Sequence, residues 1–152
     1  MNPTRTLIAA VAIALAATSP AMAQRAHLGL HGGYDVDREN AIIGGQALVP
    51  INATMSLYPS LDYHFVAAGN RVGMNLDLRL HNPLGGSMWY AGGGLNLMRS
   101  SVTGATSTDA GANIFAGYEA RFGPTHPYVE VRGLLRDRSS VMLIGGLNWT
   151  LY

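Results

Sequence analysis

Between Val72 and Asn82 the chain reads VGMNLDLRLHN, in which Val72, Met74, Leu76, Leu78 and Leu80 alternate without a break with Gly73, Asn75, Asp77, Arg79 and His81. A period of two belongs to a β-strand with one apolar and one polar face. The pattern recurs along the chain. Strand-like runs cover residues 25–34, 41–49, 55–66, 71–81, 88–99, 110–122, 127–136 and 140–152, separated by clusters of Gly, Pro, Asn, Asp and Ser that turn a chain. The run count is even, and each run has about the 9–11 residues that a tilted transmembrane strand requires. The longest and the most charged connections fall on one predicted side, which carries DVDREN, AAGN, SSVTGATSTD and DRSS; PINAT, NPLGGS and GPTH on the other carry no acid and no Arg. Long loops on one side and short turns on the other suit an outer-membrane barrel.

Alternation alone does not say which face meets water. The composition of the polar faces does. Gly29, Gly92, Gly94, Gly117 and Gly146 share those faces with Asp62, Asp77, Arg79, Glu119, Arg121, Glu130, Arg132, Tyr58, Tyr90 and Tyr128. A face open to water has no use for glycine, which weakens a strand. A narrow lumen does, because each long side chain needs a gap beside it, and eight strands enclose an interior just wide enough for side chains to fill. Asp62, Asp77, Arg79, Glu119, Arg121, Glu130 and Arg132 are therefore expected to form an enclosed, ion-paired lattice. Complementary charges would face each other across the GPTH turn if residues summing to 251 paired, with Arg121 opposite Glu130 and Glu119 opposite Arg132. Tyr34 and Phe65 fall at one set of strand ends and Trp89, Phe122 and Trp149 at the other, all on the apolar parity, as in the two aromatic belts of a bilayer-spanning protein. The run at 41–49 alternates poorly, and its faces stay unassigned.

The first residues have a separate logic. Arg5, the apolar run LIAAVAIALAA from Leu7 to Ala17, and the small-x-small pair Ala21 and Ala23 make a cleavable export signal over residues 1–23, leaving 24–152 as the barrel domain. The chain contains no Cys, which excludes a lipoprotein anchor and a disulfide scaffold. It also contains no Lys, and its charge is nearly balanced, so nothing suggests nucleic acid.

With MSLYPSLDYHFV, YAGGGLNL and the closing DRSSVMLIGGLNWTLY, the sequence resembles the small OmpA/OmpX-like β-barrel proteins of Gram-negative outer membranes. The resemblance implies an all-β fold, an eight-stranded antiparallel up-and-down transmembrane barrel, located in the cell outer membrane. It implies a structural or interaction role with at most a narrow pore, as a monomer, among outer-membrane lipids and lipopolysaccharide. It also implies recognition of the last strand by the barrel-assembly machinery, with Tyr152 standing where members carry a terminal aromatic. Tyr152 falls on the polar parity, which allows a bend near the end. An exported soluble barrel that binds a lipophilic ligand is the alternative, with the apolar faces turned inward; a lipid-modifying enzyme is a third reading. For catalysis, His126 and Ser139 or Ser140 fall in connections on opposite sides. The five His lack the spacing of a zinc site, and YAGGGLNL lacks the Lys and Ser or Thr of a phosphate loop. No cofactor is expected. Asp35, Asp37 and Glu39 could draw a divalent cation, or simply be a solvated loop.

Overall fold

The computed structural model describes residues 26–81, 88–102 and 104–151. The export-signal residues and Tyr152 lie outside them. Eight strands follow one another: β1 (His27–Asp35), β2 (Asn40–Pro50), β3 (Met55–His64), β4 (Asn70–His81), β5 (Trp89–Val102), β6 (Ala105–Glu119), β7 (Thr125–Leu135) and β8 (Ser140–Thr150). Each pairs antiparallel with its sequence neighbour, and β1 pairs with β8 to close the barrel. Closure leaves no exposed sheet edge within the wall. The end at which β1 begins and β8 ends is called the near mouth below, and the opposite end the far mouth.

The faces sort as the alternation predicts. Leu30, Leu76, Leu95 and Val129 are 62, 53, 67 and 62% exposed on the outside, whereas Asp77 and Arg132 are each 1% exposed inside. The molecule is thus inverted relative to a soluble domain: its apolar side chains cover the outside, and charge fills the middle. Apolar faces turned inward around a lipophilic ligand, the soluble alternative, are not what the strands present.

Three expectations need correction. The stretch SSVTGATSTD is mostly strand, with residues 100–102 in β5 and 105–109 in β6. β5 and β6 continue as a paired hairpin out to Val102 opposite Ala105, because Ser and Thr suit a strand. Gly104, at φ 83°, supplies the left-handed residue that the tight turn needs.

The register between β6 and β7 is neither the predicted one nor its like-charge alternative. Glu130 faces Gly117, Arg132 faces Phe115 and Glu119 faces Tyr128. The cause lies in the turn: Phe122 and Thr125 bridge each other around Gly123–Pro124. Gly123 sits at φ 64°, and Gly at the first central position followed by a residue of fixed negative φ is the chemistry of a two-residue hairpin turn. That turn sets the register before any charge is counted.

The third correction concerns Arg121. It lies beyond the end of β6, exposed at the near mouth, and takes no part in the interior lattice.

The weak alternation of the second run also has a cause. Ala47 and Leu48 are both buried, at 5 and 6%. The β2–β3 ladder lapses between Gln46–Ser60 and Val49–Leu57, opposite Pro59, which has no N–H to give.

Candidate functional site

Lumen glycines set the geometry of the interior. Gly94 lies between Asp77 and Asn113, Gly92 between Arg79 and Phe115, Gly117 between Tyr90 and Glu130, and Gly44 between His31 and Asp62. In each case the position without a side chain stands beside positions with long ones. A Cβ at Gly94 would lie 2.6 Å from the Cα of Asp77, and one at Gly44 2.7 Å from Oδ1 of Asp62. The glycines are the space that the lattice occupies.

Around that space the polar side chains form one connected ring. Arg132 on β7 holds Glu130 through Nε at 3.0 Å and Asp77 on β4 through Nη1 at 3.0 Å. Asn113 on β6 donates to Asp77 at 2.8 Å and to Asn75 at 3.1 Å. Asn75 donates to Asp62 on β3 at 2.7 Å, and Asp62 meets His31 on β1 at 2.8 Å. The other ring nitrogen of His31 faces the amide oxygen of Gln46 on β2. Gln46 donates to Asn148 on β8 at 2.8 Å, and Asn148 donates to Glu119 at 2.9 Å. Glu119 pairs with Arg79 at 3.0 Å. The guanidinium of Arg79 lies 3.5 Å from the centre of the Tyr90 ring on β5, and the Tyr90 hydroxyl donates to Glu130 at 3.0 Å. All eight strands contribute. A buried charge needs a partner and further hydrogen bonds, and this ring supplies both.

Six of the seven lattice residues expected from the sequence therefore come together, Asp62, Asp77, Arg79, Glu119, Glu130 and Arg132, with Arg121 outside. Arg132 and Glu130 pair along β7, and the other pairs cross the lumen rather than the β6–β7 hairpin. Arg132 reaches from β7 to β4, and Arg79 from β4 to β6. The link through β2, Gln46, was not legible because the faces of its run could not be assigned.

A second layer, absent from the sequence reading, lies toward the far mouth. Ile42, Met98, Leu134, Met142 and Ile144 point inward and are 3, 3, 1, 1 and 6% exposed. They join Tyr58 and Phe115 in one buried apolar cluster. Their parity could have revealed them, since each sits an even number of residues from a polar lumen residue on the same strand. Above this layer the β1–β2 turn is tied to the start of β8, its neighbour in the wall. Arg38 holds Asp35 at 3.0 Å and also donates to Ser140 and to the carbonyl of Arg138. Asp37 accepts from the backbone N–H of Val141 at 2.6 Å. Two of the three carboxylates considered for a cation thus hold the β1–β2 turn to β8.

The aromatic residues stand outside, as their parity requires. Tyr34, Phe65, Trp89, Phe122 and Trp149 are all exposed, Phe122 most at 70%. Trp89 meets Tyr118 edge to face at 5.1 Å, and Tyr63 meets Phe65 at 5.2 Å. A shallow hollow of about 380 Å³ on this outer surface is lined by Trp89, Tyr118, Val129, Val131 and Leu143 among others. For catalysis the placements are unhelpful: His126 lies near the start of β7 at the near mouth, and Ser139 and Ser140 stand at the far mouth.

No protein-family model matches the chain, and no curated protein sequence does. Solved structures do. The N-terminal β-barrel domain of Pseudomonas aeruginosa OprF superposes with a TM-score of 0.72 at 16% identity, over 84% of this chain and 97% of that one. Neisserial surface protein A superposes with a TM-score of 0.62 at 15% identity, over 84% and 95%. A de novo designed transmembrane β-barrel gives 0.56 at 12% identity, again over 84% and 95%. The fold of this chain is the closed eight-stranded up-and-down barrel that small outer-membrane proteins share.

Proposed function

We propose that the protein is an integral outer-membrane barrel whose role is structural and interactive, with a lumen closed to solutes. The observation that carries this reading is the pairing of an apolar exterior, bracketed by aromatic residues, with an interior occupied by a continuous ion-paired ring and an apolar layer above it. An exposed face of Leu, Ile and Val on this scale is costly in water and favourable in lipid. No helix among the described residues is long and apolar enough to cross a membrane, so crossing falls to the strands. The near mouth, where β1 begins and β8 ends, then faces the periplasm and the far mouth faces outward. The immediate partners are then outer-membrane lipids and lipopolysaccharide, with the barrel-assembly machinery reading the last strand and Tyr152, and the barrel acts as a monomer without a cofactor.

Two measurements test this. The protein should partition with the outer membrane and migrate differently on a gel before and after heating; release by carbonate without detergent would contradict it. Reconstituted in a planar bilayer, it should show no steady conductance, and the double variant Leu134→Ala, Met142→Ala should stay closed as well, because the ion-paired ring beneath the apolar layer is untouched. Stable conductance steps in the unaltered protein would overturn the closed lumen.

A further inference from the structure

The ion pairs of the ring set four carboxylates, Asp62, Asp77, Glu119 and Glu130, against two guanidiniums. Arg132 answers Asp77 and Glu130, and Arg79 answers Glu119. Asp62, 2% exposed, has no guanidinium at ion-pair distance among the described residues; it meets Nε2 of His31 at 2.8 Å and accepts from Asn75 at 2.7 Å. An enclosed carboxylate needs a cation. The directions of the hydrogen bonds say where it is. Glu119, ionised against Arg79, can only accept, so Asn148 turns Nδ2 to it and Oδ1 to Gln46. Gln46 then directs Nε2 at Asn148 and at the Tyr128 hydroxyl, 2.9 Å away, and turns Oε1 to Nδ1 of His31. Nδ1 must carry a proton. Nε2 faces Oδ1 of Asp62, and two bare acceptors at that distance would repel, so a second proton lies between them. An imidazole is a stronger base than a carboxylate, and the Asn75 amide favours the ionised form of Asp62, so this proton belongs to the ring.

We propose that His31 is a fixed imidazolium, the third cation of the lattice, and that its second proton is a pH-sensitive tie between β1 and β3. The two side chains meet directly over β2, because the residue between them is Gly44, where a Cβ would lie 2.7 Å from Oδ1 of Asp62. Without that proton the lone pair of Nε2 would face a carboxylate, and the contact would turn from attractive to repulsive. Few charged or titratable groups face His31: Asp62 from β3, and Arg132 and Tyr128 from β7. From β2 and β8 it meets Gln46, Gly44 and Gly146, none of which titrates. Because β1 also closes the barrel against β8, the tie acts at the closing seam.

The test uses the refolded full barrel in detergent, with isotope-labelled histidine followed by NMR at about pH 7.5, where a free imidazole has largely lost its second proton. The His31 ring, assigned by the signal lost in His31→Gln, should carry a proton on both nitrogens. A ring with one bare nitrogen would overturn the proposal. In Asp62→Asn, with heat-modifiable migration retained, the same ring should carry a single proton, on Nδ1; two protons there would count equally against it. Raising the pH until the second proton leaves should lower the urea midpoint of the unaltered barrel by about 1 M, the scale of one charge-assisted hydrogen bond. The double variant His31→Gln, Asp62→Asn should stay level over the same range. A midpoint in the unaltered barrel that ignores the loss of that proton, or a double variant that falls in parallel, would overturn the tie.

Discussion

Replacing Arg132 by Met tests the interior lattice where it carries most charge. Arg132 is 1% exposed and sits 3.0 Å from a carboxylate oxygen of Asp77 and of Glu130, with its guanidinium 4.9 Å from the ring centre of Phe115. Methionine fills much of the volume and keeps the aromatic contacts, so packing changes little. What changes is charge: two buried carboxylates lose their shared cation. Breaking a buried pair by removing one partner costs about 3–5 kcal/mol. Here the lower end applies, because Glu130 retains the Tyr90 hydroxyl and Asp77 retains the Asn113 amide. With a urea slope of about 2 kcal/mol per M for a domain of this size, about 3 kcal/mol moves the unfolding midpoint down by ~1.5 M. The assay is urea unfolding in lipid vesicles, followed by the emission of Trp89 and Trp149, both on the outer surface, and by gel migration without heating. The triple variant Arg132→Met, Glu130→Gln, Asp77→Asn removes the charge imbalance and should recover most of the loss. A single variant with an unchanged midpoint, or a triple variant no better than the single, would refute the argument that paired charge holds the lumen together.

The glycines give a matched pair of expectations. Gly94→Ala places a Cβ against the backbone of Leu76 and Asp77, atoms that cannot move aside, and should cost about 1–3 kcal/mol in the same unfolding assay. Gly145→Ala on the outside meets nothing closer than 3.8 Å and should be neutral or gain up to ~1 kcal/mol. Depth in the bilayer gives another: Leu76→Arg, at the middle of β4 on the outer face, should destabilise the vesicle-bound barrel by about 2–4 kcal/mol, and Phe122→Arg at the near rim by about 0–1 kcal/mol. Equal costs at the two positions would contradict the placement of the aromatic belts.

Much of the barrel wall was legible because its two faces meet chemically different surroundings. Leu76, Leu78 and Leu80 against Asp77 and Arg79 carry that difference in five successive residues. Register was less legible, because it depends on a few turn atoms. Gly123 and Pro124 fix the β6–β7 pairing, whereas the charges, which suggested another register, find their partners across the barrel. A narrow lumen puts residues of non-adjacent strands within reach, as with Arg132 and Asp77, and no local pattern encodes that. The apolar layer escaped for a related reason. Met98, Leu134 and Met142 look like wall residues by type, and only strict parity counts them inside.

Lipid outside and enclosed charge inside can be measured directly, because the chain contains no cysteine. Single cysteines placed at Leu76, Asp77, Leu78, Arg79 and Leu80, each carrying an environment-sensitive fluorophore, can be exposed to a quencher confined to the acyl region of the vesicle. Quenching is expected at 76, 78 and 80 and protection at 77 and 79, a period of two along β4. Quenching at 77 and 79 with protection at the leucines, or no alternation at all, would contradict it.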